Sequence, residues 1–185
     1  MNIFEENTLK SRKRVNVRVG HLKSPKFYYG WFNSQFGETL IFLNSAEVVA
    51  LGFNNCKNKL KIELELKARW KTKPITFEKA NMSKMTDDIF YNNSAINIVL
   101  QGTKFELEVW SALLKIPVGT TASYSEIAIK IGEKSAVRAV ASAIGRNPIA
   151  WLIPCHRVLR KSGNLGGYRW GLDIKRNMLS AELSN

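Results

Sequence analysis

Residues 147–159 read Asn-Pro-Ile-Ala-Trp-Leu-Ile-Pro-Cys-His-Arg-Val-Leu and set a cysteine beside a histidine after an apolar run. A free thiol is only a few per cent ionised at neutral pH, so a reacting cysteine needs a neighbour that takes its proton or stabilises the anion. His156 and Arg157 offer one of each. The commoner fate of a free cysteine is that of a small buried hydrophobe, but Pro-Cys-His-Arg fits that poorly. Two chemistries stand open for Cys155: a Cys-His hydrolase working through an acyl intermediate, or a thiolate that accepts a group permanently. The run 149–153 reads as a buried strand ended by Pro154, which delivers the thiol at the strand's end. Neighbours in a strand point to opposite faces, so His156 is expected to act through a bend or a bridging water. Glu182 lies beside Met178 and Leu179 on a helix expected at 173–183. It is either a solvated charge at a helix end or a partly buried partner for a histidine.

The elements that must position these groups lie mostly upstream. Thr103 with Glu106 forms a capping-box pattern, and Phe105, Val109 and Leu113 recur at helical spacing until Pro117 and Gly119. Ser123 with Glu126 repeats the pattern for a short helix carrying Ile127 and Ile131, closed by Gly132. A third helix follows with Ser135 as N-cap and Val137, Val140, Ala141 and Ile144 as its apolar stripe, ending at Gly145. Two helices joined by a short glycine-containing turn have the outline of a DNA-binding helix-turn-helix, an outline that any αα-hairpin shares. Arg138 and Ser142 fall off the apolar stripe, and Ala136, Ala139 and Ala143 leave a flat surface for a sugar-phosphate backbone. Asn147, before a proline, is biased to turn geometry and its amide can bond backbone groups across the turn. Residues 161–167 are a polar turn with Gly163, Gly166 and Gly167, followed by Tyr168-Arg169-Trp170-Gly171.

The first half carries no comparable chemistry. A basic lead-in at 10–23 has no assigned structure. Short strands joined by turns are expected at 27–32, 39–43 and 47–53, where aromatic and β-branched residues are punctuated by Gly30, Gly37 and Gly52. A charged surface helix is expected at 56–69, with Leu60, Leu64 and Ala68 at helical spacing and Ile62 and Leu66 adding apolar surface. A loop and short helix ending near Tyr91, then a strand at 96–100, complete an α/β unit. The expected fold is α/β (α+β): an N-terminal domain at 1–95 built on a β-sheet, and a mainly helical domain at 96–185 with the helix-turn-helix and Cys155. Cys56, in a polar turn without a general base, is expected to be incidental.

Composition narrows the partners. The 185 residues carry 28 Lys and Arg against 15 Asp and Glu, a net charge of +13. That balance points to a polyanion, nucleic acid first, or else to a solvated basic surface. No apolar run of about 18 residues exists to span a bilayer, and the first ten residues lack a signal-peptide core. A soluble, cytoplasmic protein is expected. Two cysteines make no disulfide framework, and the His and Cys residues share no zinc spacing, so neither a metal nor a cofactor is expected.

The stretches Gly-Thr-Lys-Phe at 102, Val-Trp at 109, Ile-Pro-Val-Gly at 116, Ser-Tyr at 123, Ala-Val-Arg-Ala-Val at 136, Asn-Pro at 147, Ile-Pro-Cys-His-Arg-Val at 153 and Gly-Tyr-Arg-Trp-Gly-Leu at 167, with Glu182, resemble the O6-alkylguanine-DNA alkyltransferases. The resemblance covers 102–185; residues 1–100 fit in length and α/β texture. It implies direct reversal of DNA damage, with Cys155 accepting the alkyl group of O6-alkylguanine, and of O4-alkylthymine, once per molecule. It further implies that His156 takes the thiol proton through a water, that Glu182 orients His156, and that Tyr124 hydrogen-bonds the guanine. Arg138 would fill the gap left by the flipped base, with Ser123, Ala136, Ala139 and Ser142 along the DNA. Asn147 would join the recognition helix to the active-site strand. The Cys155 and Val158 carbonyls would receive the guanine amino group, while Tyr168, Arg169 and Trp151 would line the pocket. The implied partner is double-stranded DNA containing the lesion, bound by a monomer. Trp151 stands where the family usually has an aliphatic residue, and Leu-Gly-Gly-Tyr lacks the hydroxyl residue common before the second glycine. Both departures bear on substrate breadth.

Overall fold

The computed structural model describes residues 15–55, 58–70, 76–92 and 94–183. Cys56 and the lead-in before Val15 lie outside them. The chain divides into two compact units, one ending at Leu100 and the other beginning at Gln101.

Among the described residues, the first unit is a six-stranded sheet with two α-helices. Its strands are β1 (Val15–Val19), β2 (Lys26–Ser34), β3 (Gly37–Asn44), β4 (Glu47–Phe53), β5 (Thr76–Lys79) and β6 (Ile96–Leu100), in the order β1-β6-β4-β3-β2-β5. β2, β3 and β4 form an antiparallel meander, whose tight turns use Gly37 and Ser45 at positive φ. β4 reads Glu-Val-Val-Ala-Leu-Gly-Phe and is buried throughout, the continuous pattern of a strand covered on both faces. β5 and β6 add in parallel to β2 and β4, and β1 adds in parallel to β6. Gly30 on β2 is required sterically, since a Cβ there would sit 2.5 Å from the Ala80 carbonyl oxygen.

Three features of this unit differ from the sequence expectation. The basic lead-in contains β1, because Arg18 has a buried partner: its Nε and Nη2 donate to the two oxygens of Glu47 at 2.9 and 2.7 Å. Residues 76–79 form β5 within what reads as loop. The boundary expected at 95/96 falls before β6, whereas pairing with β1 and β4 puts that strand in the sheet unit.

The helices of this unit are α1 (Lys59–Lys67) and α2 (Ser83–Phe90). On α1 the expected face is reversed: Leu60 and Leu64 are exposed, while Ile62 and Leu66 are buried, in line with Trp70 in the 3-10 turn that follows. The stripes 60/64/68 and 62/66/70 have the same spacing, so periodicity cannot choose between them. The sheet chooses, because its aromatic face holds Trp70 against Phe27 and Phe42. Glu63 accepts a hydrogen bond from the Trp31 indole at 2.9 Å, and the Lys67 ammonium sits 3.9 Å over the Tyr29 ring.

The second unit holds α3 (Lys104–Leu114), the short strand β7 (Ala122–Ser123), α4 (Tyr124–Lys130), α5 (Val137–Gly145), β8 (Val158–Leu159) and α6 (Leu172–Leu183). Both expected capping boxes form, Thr103 with Glu106 and Ser123 with Glu126. The wholly buried Trp110 of α3 donates its indole N–H to the Ala143 carbonyl of α5 at 3.0 Å. Ser135 does not cap α5; Ala136 occupies that position without a side-chain cap, held by its own N–H to the Glu133 carbonyl. Ala143 is wholly buried beside Val140 and Ile144, so it is core and not part of the flat outer surface. β7 and β8 pair in parallel, Ala122 with Val158 and Ser123 with Leu159, and so tie the start of α4 to the residues after Cys155.

The reassigned face of α1 gives a direct check. Leu66→Ala is expected to cost about 2–5 kcal/mol, and Leu64→Ala to stay within about 0.5 kcal/mol of wild type. Paired urea melts measure both.

Candidate active site

The run before the cysteine is not a strand. Ile153 N–H donates to the Ile149 carbonyl at 3.0 Å and Cys155 N–H to the Ile153 carbonyl at 2.7 Å, which coils the segment into consecutive turns with Trp151 at φ +69°. An unbroken apolar run of this length carries no period that separates strand from turn. Asn147 decides the matter. Its Oδ1 accepts the Ile149 N–H at 3.0 Å and its Nδ2 donates to the Ile153 carbonyl at 3.0 Å, so a side chain takes the hydrogen bonds a ladder would have used. Asn147 is 2 % exposed.

Cys155, His156 and Arg157 form a 3-10 turn, in which consecutive side chains diverge by about a third of a turn and do not alternate between two faces. The Cys155 thiol is buried, and three groups act on it. Asn147 Nδ2 donates to Sγ at 3.1 Å, the Tyr168 hydroxyl lies 4.0 Å from Sγ, and the Lys175 ammonium acts on it electrostatically. Burial pushes the thiol pKa up, while these three neighbours oppose it. The resting group is therefore a thiol.

His156 is wholly buried, and its Nε2 lies 2.8 Å from Glu182 Oε1. Burial pushes Glu182 up, but hydrogen bonds from His156 and Arg157 outweigh it and hold the carboxyl at about 2. An ionised carboxylate only accepts, so Nε2 carries the proton and Nδ1 keeps its lone pair. Burial lowers the His156 pKa despite Glu182, which keeps the ring neutral at rest. Among the described residues no group hydrogen-bonds the buried Nδ1, which makes it an imidazole nitrogen able to take a proton.

Arg157 does not face the thiol, as its position in the sequence suggests. Its Nε donates to both Glu182 oxygens at 3.1 and 3.0 Å, its Nη2 to Oε1 at 2.7 Å, and its Nη1 to the Ile116 carbonyl at 2.5 Å. The cation that acts on the thiol is Lys175, which the sequence reading passed over. Its wholly buried ammonium donates to the Val158 carbonyl at 2.7 Å and the Leu165 carbonyl at 2.5 Å, and burial lowers its pKa to about 8. A signal was available, because Lys175, Met178 and Glu182 share the i, i+3, i+7 stripe of α6.

The other expected residues fall into two groups. Tyr124 opens α4, and its hydroxyl would lie 3.2 Å from a Cβ on Gly166, whose φ is +67°. Close approach and backbone conformation together account for glycine in place of a hydroxyl residue there. The Tyr168 hydroxyl also donates to Met178 Sδ at 3.4 Å. Arg169 places its guanidinium 4.9 Å over the Trp170 ring, and Trp151 stacks on His156. Arg138, Ala139 and Ser142 are exposed on α5, with Ala136 half-buried at its start. The Ser123 hydroxyl is committed to the Glu126 N–H at 3.2 Å, and Ser142 Oγ to Arg146 Nη1 at 2.5 Å. Among the described residues no group of three or more His, Cys, Asp and Glu could hold a metal ion, and no helix is long and apolar enough to cross a membrane.

A buried Asn-Cys-His-Glu arrangement follows directly on a short helix whose outer face exposes Arg138, Ala139 and Ser142. Comparison with known proteins is specific. Residues 104–184 match the family described as 6-O-methylguanine DNA methyltransferase, DNA binding domain. The methylated-DNA–protein-cysteine methyltransferase of Methanosarcina barkeri is 38% identical over 159 residues, covering 85% of this chain and 98% of that protein. The regulatory protein ada of Salmonella typhimurium is 54% identical over 83 residues, which span 45% of this chain but only 24% of that longer protein. Among solved structures, Mycobacterium tuberculosis OGT in complex with DNA superposes with a TM-score of 0.68 at 30% identity, covering 85% of this chain and 93% of that one. The chain belongs to the methylated-DNA–protein-cysteine methyltransferase family.

The buried pair sets an acid limit. The unfolded chain binds a proton at Glu182 near 4.5 and the folded protein only near 2, so this contribution is complete above about pH 4.5 and lost as pH falls toward 2. His156 has the same sign, because the unfolded chain protonates near 6.5 and the folded protein lower. Stability measured by denaturant is expected to begin falling below about pH 6.5 and to fall further below 4.5. Glu182→Gln should lose the lower part of this dependence and cost about 3–5 kcal/mol at neutral pH by leaving Arg157 buried and unpaired.

Proposed function

We propose that this protein repairs DNA by moving the alkyl group of O6-alkylguanine onto Cys155, in a reaction that each molecule performs once. The observation that carries the reading is a set of buried groups around one turn: Asn147 on Sγ, and His156 with Nε2 bound to an ionised Glu182 and Nδ1 without a hydrogen-bond partner among the described residues. The family names of the relatives support it.

In this reaction His156 Nδ1 takes the Cys155 proton through a bridging water, and Glu182 stabilises the imidazolium. Asn147 and Lys175 favour the thiolate over the thiol. The thiolate sulfur attacks the alkyl carbon, a C–S bond forms and the C–O6 bond breaks, with the electron pair leaving on the base. The departing guanine regains a proton at its ring, and Tyr124 helps neutralise it by hydrogen bonding. The thiol proton thus ends on guanine and the sulfur ends as a thioether. A thioether offers water no leaving group, unlike an acyl-enzyme, so the thiol is not regenerated.

The alkyl group lies inside the duplex, so the nucleotide must be turned out of the stack, at a cost of a few kcal/mol that a damaged pair lowers. α5 is the proposed reading element. Ala139 and Ser142 allow close approach to a groove, Arg138 enters the gap left by the base, and Ala136 and Ser123 flank the contact. Trp151 and the loop carrying Tyr168 and Arg169 bound the pocket, and the Cys155 and Val158 carbonyls face the guanine amino group. O4-alkylthymine presents the same alkyl-oxygen bond and is included as a substrate. The protein acts as a monomer on double-stranded DNA, without a cofactor.

Intact-protein mass after incubation with a duplex bearing one O6-methylguanine is expected to rise by one methylene, at one per protein, with no change in Cys155→Ala. Release of product beyond one equivalent would instead identify a hydrolase. Arg138→Ala is expected to slow transfer from duplex DNA at least tenfold while sparing transfer from the free modified base, and to reduce the salt slope of DNA binding by about 1 if the side chain also contacts phosphate. Filter binding across a salt series and single-turnover rates on both substrates check this.

A further inference from the structure

Trp151 is the one described non-glycine residue besides Ser45 at positive φ, and its ring lies over His156 with centroids 5.2 Å apart and planes 20° from parallel. A left-handed conformation is rare for a bulky side chain, and glycine or asparagine would adopt it at lower cost. Such a residue persists where its surroundings over-determine it, most often at a functional site. Here the strained backbone delivers an indole face to a wholly buried imidazole whose opposite nitrogen has no hydrogen-bond partner among the described residues.

We propose that Trp151 is a positioning residue for the transfer, whose indole fixes the His156 ring with Nε2 on Glu182 and stabilises the imidazolium formed when Nδ1 takes the thiol proton. This rests on His156 being the proton acceptor. The charges acting on that ring explain the need. Glu182 favours the protonated form, but Arg157 beside it and Lys175 on α6 both oppose it, and burial opposes it further. The negative face of an indole within about 6 Å supports a cation without adding an ionisable group or a competing hydrogen-bond acceptor. An aliphatic residue in this place would fill the volume and supply no such support.

The test compares Trp151→Leu with Trp151→Phe in the full-length protein, by single-turnover methyl transfer from a modified duplex across pH. Trp151→Leu is expected to lower the plateau rate about threefold to tenfold. It should also move the acid-side midpoint, where protonation of His156 blocks proton uptake, about half a pH unit lower. Trp151→Phe should stay within about twofold of wild type. Unchanged rate and midpoint in Trp151→Leu, or a slower rate with the midpoint unmoved, would overturn the proposal and leave the indole as packing. If Trp151→Leu does not fold, fluorinated tryptophans placed at 151 weaken the ring face without changing its bulk. The midpoint should then fall with each added fluorine, and a constant midpoint overturns the proposal. His156→Gln separates the underlying reading: if it transfers at the wild-type rate with the wild-type midpoint, His156 is not the acceptor, whatever Trp151 does.

Discussion

The second unit depends on one buried carboxylate. Glu182 lies near the end of α6, and its two oxygens gather a histidine N–H and the fork of an arginine. Because Arg157 also reaches the Ile116 carbonyl beyond α3, the same cation joins the active-site turn, the last helix and the segment between α3 and β7. Burying such a pair is costly, and its attraction compensates only when geometry satisfies nearly every donor and acceptor. That condition is met here, and the result determines the state of the histidine. With the carboxylate ionised, Nε2 must donate, and the lone pair of the ring is directed to the other side.

The turn that carries the thiol is held by a different logic. Asn147 replaces strand pairing with side-chain hydrogen bonds across the turn, and the amide that closes the turn is the same group that touches Sγ. One residue therefore both shapes the backbone and touches the sulfur. Lys175 works similarly from α6. It satisfies two carbonyls, one of them on β8, while its positive charge partly offsets the burial that keeps the thiol protonated at rest. In the proposed reaction the anion exists only briefly, so a site that disfavours it at rest and supports it on demand protects the thiol from wasteful alkylation.

The DNA-facing proposal is tied to this core through α5. Its inner face is Val140, Ala143 and Ile144, clamped by the Trp110 indole, and its outer face is Arg138, Ala139 and Ser142. The chain passes from α5 directly through Arg146 into Asn147, so the exposed helix and the thiol are separated by a short run of consecutive turns tied together by the Asn147 side chain. A helix that reads a duplex and a pocket that receives an extruded base need that rigid spacing.

Much of this was legible from residue order because it is local. The capping boxes at Thr103 and Ser123, the meander of β2 to β4, and the adjacency of Cys155 and His156 in one segment depend on neighbours a few positions apart, where spacing and chemistry are directly readable. The positions that match the family's motif carry the same information in denser form. What residue order left open are the contacts between distant segments. Two stripes on α1 have the same period, and only the aromatic face of the sheet selects Ile62 and Leu66. An apolar run at 149–153 suits strand or turn equally, and the Asn147 amide selects the turn. Arg157 stands beside the thiol in sequence, yet a carboxylate 25 residues away draws it off, while Lys175 arrives from the last helix to take its place. Sequence determined which groups are present and which short elements form; tertiary structure decided which charge meets which, because burial makes each unpaired group expensive and only the folded chain brings its partner within reach.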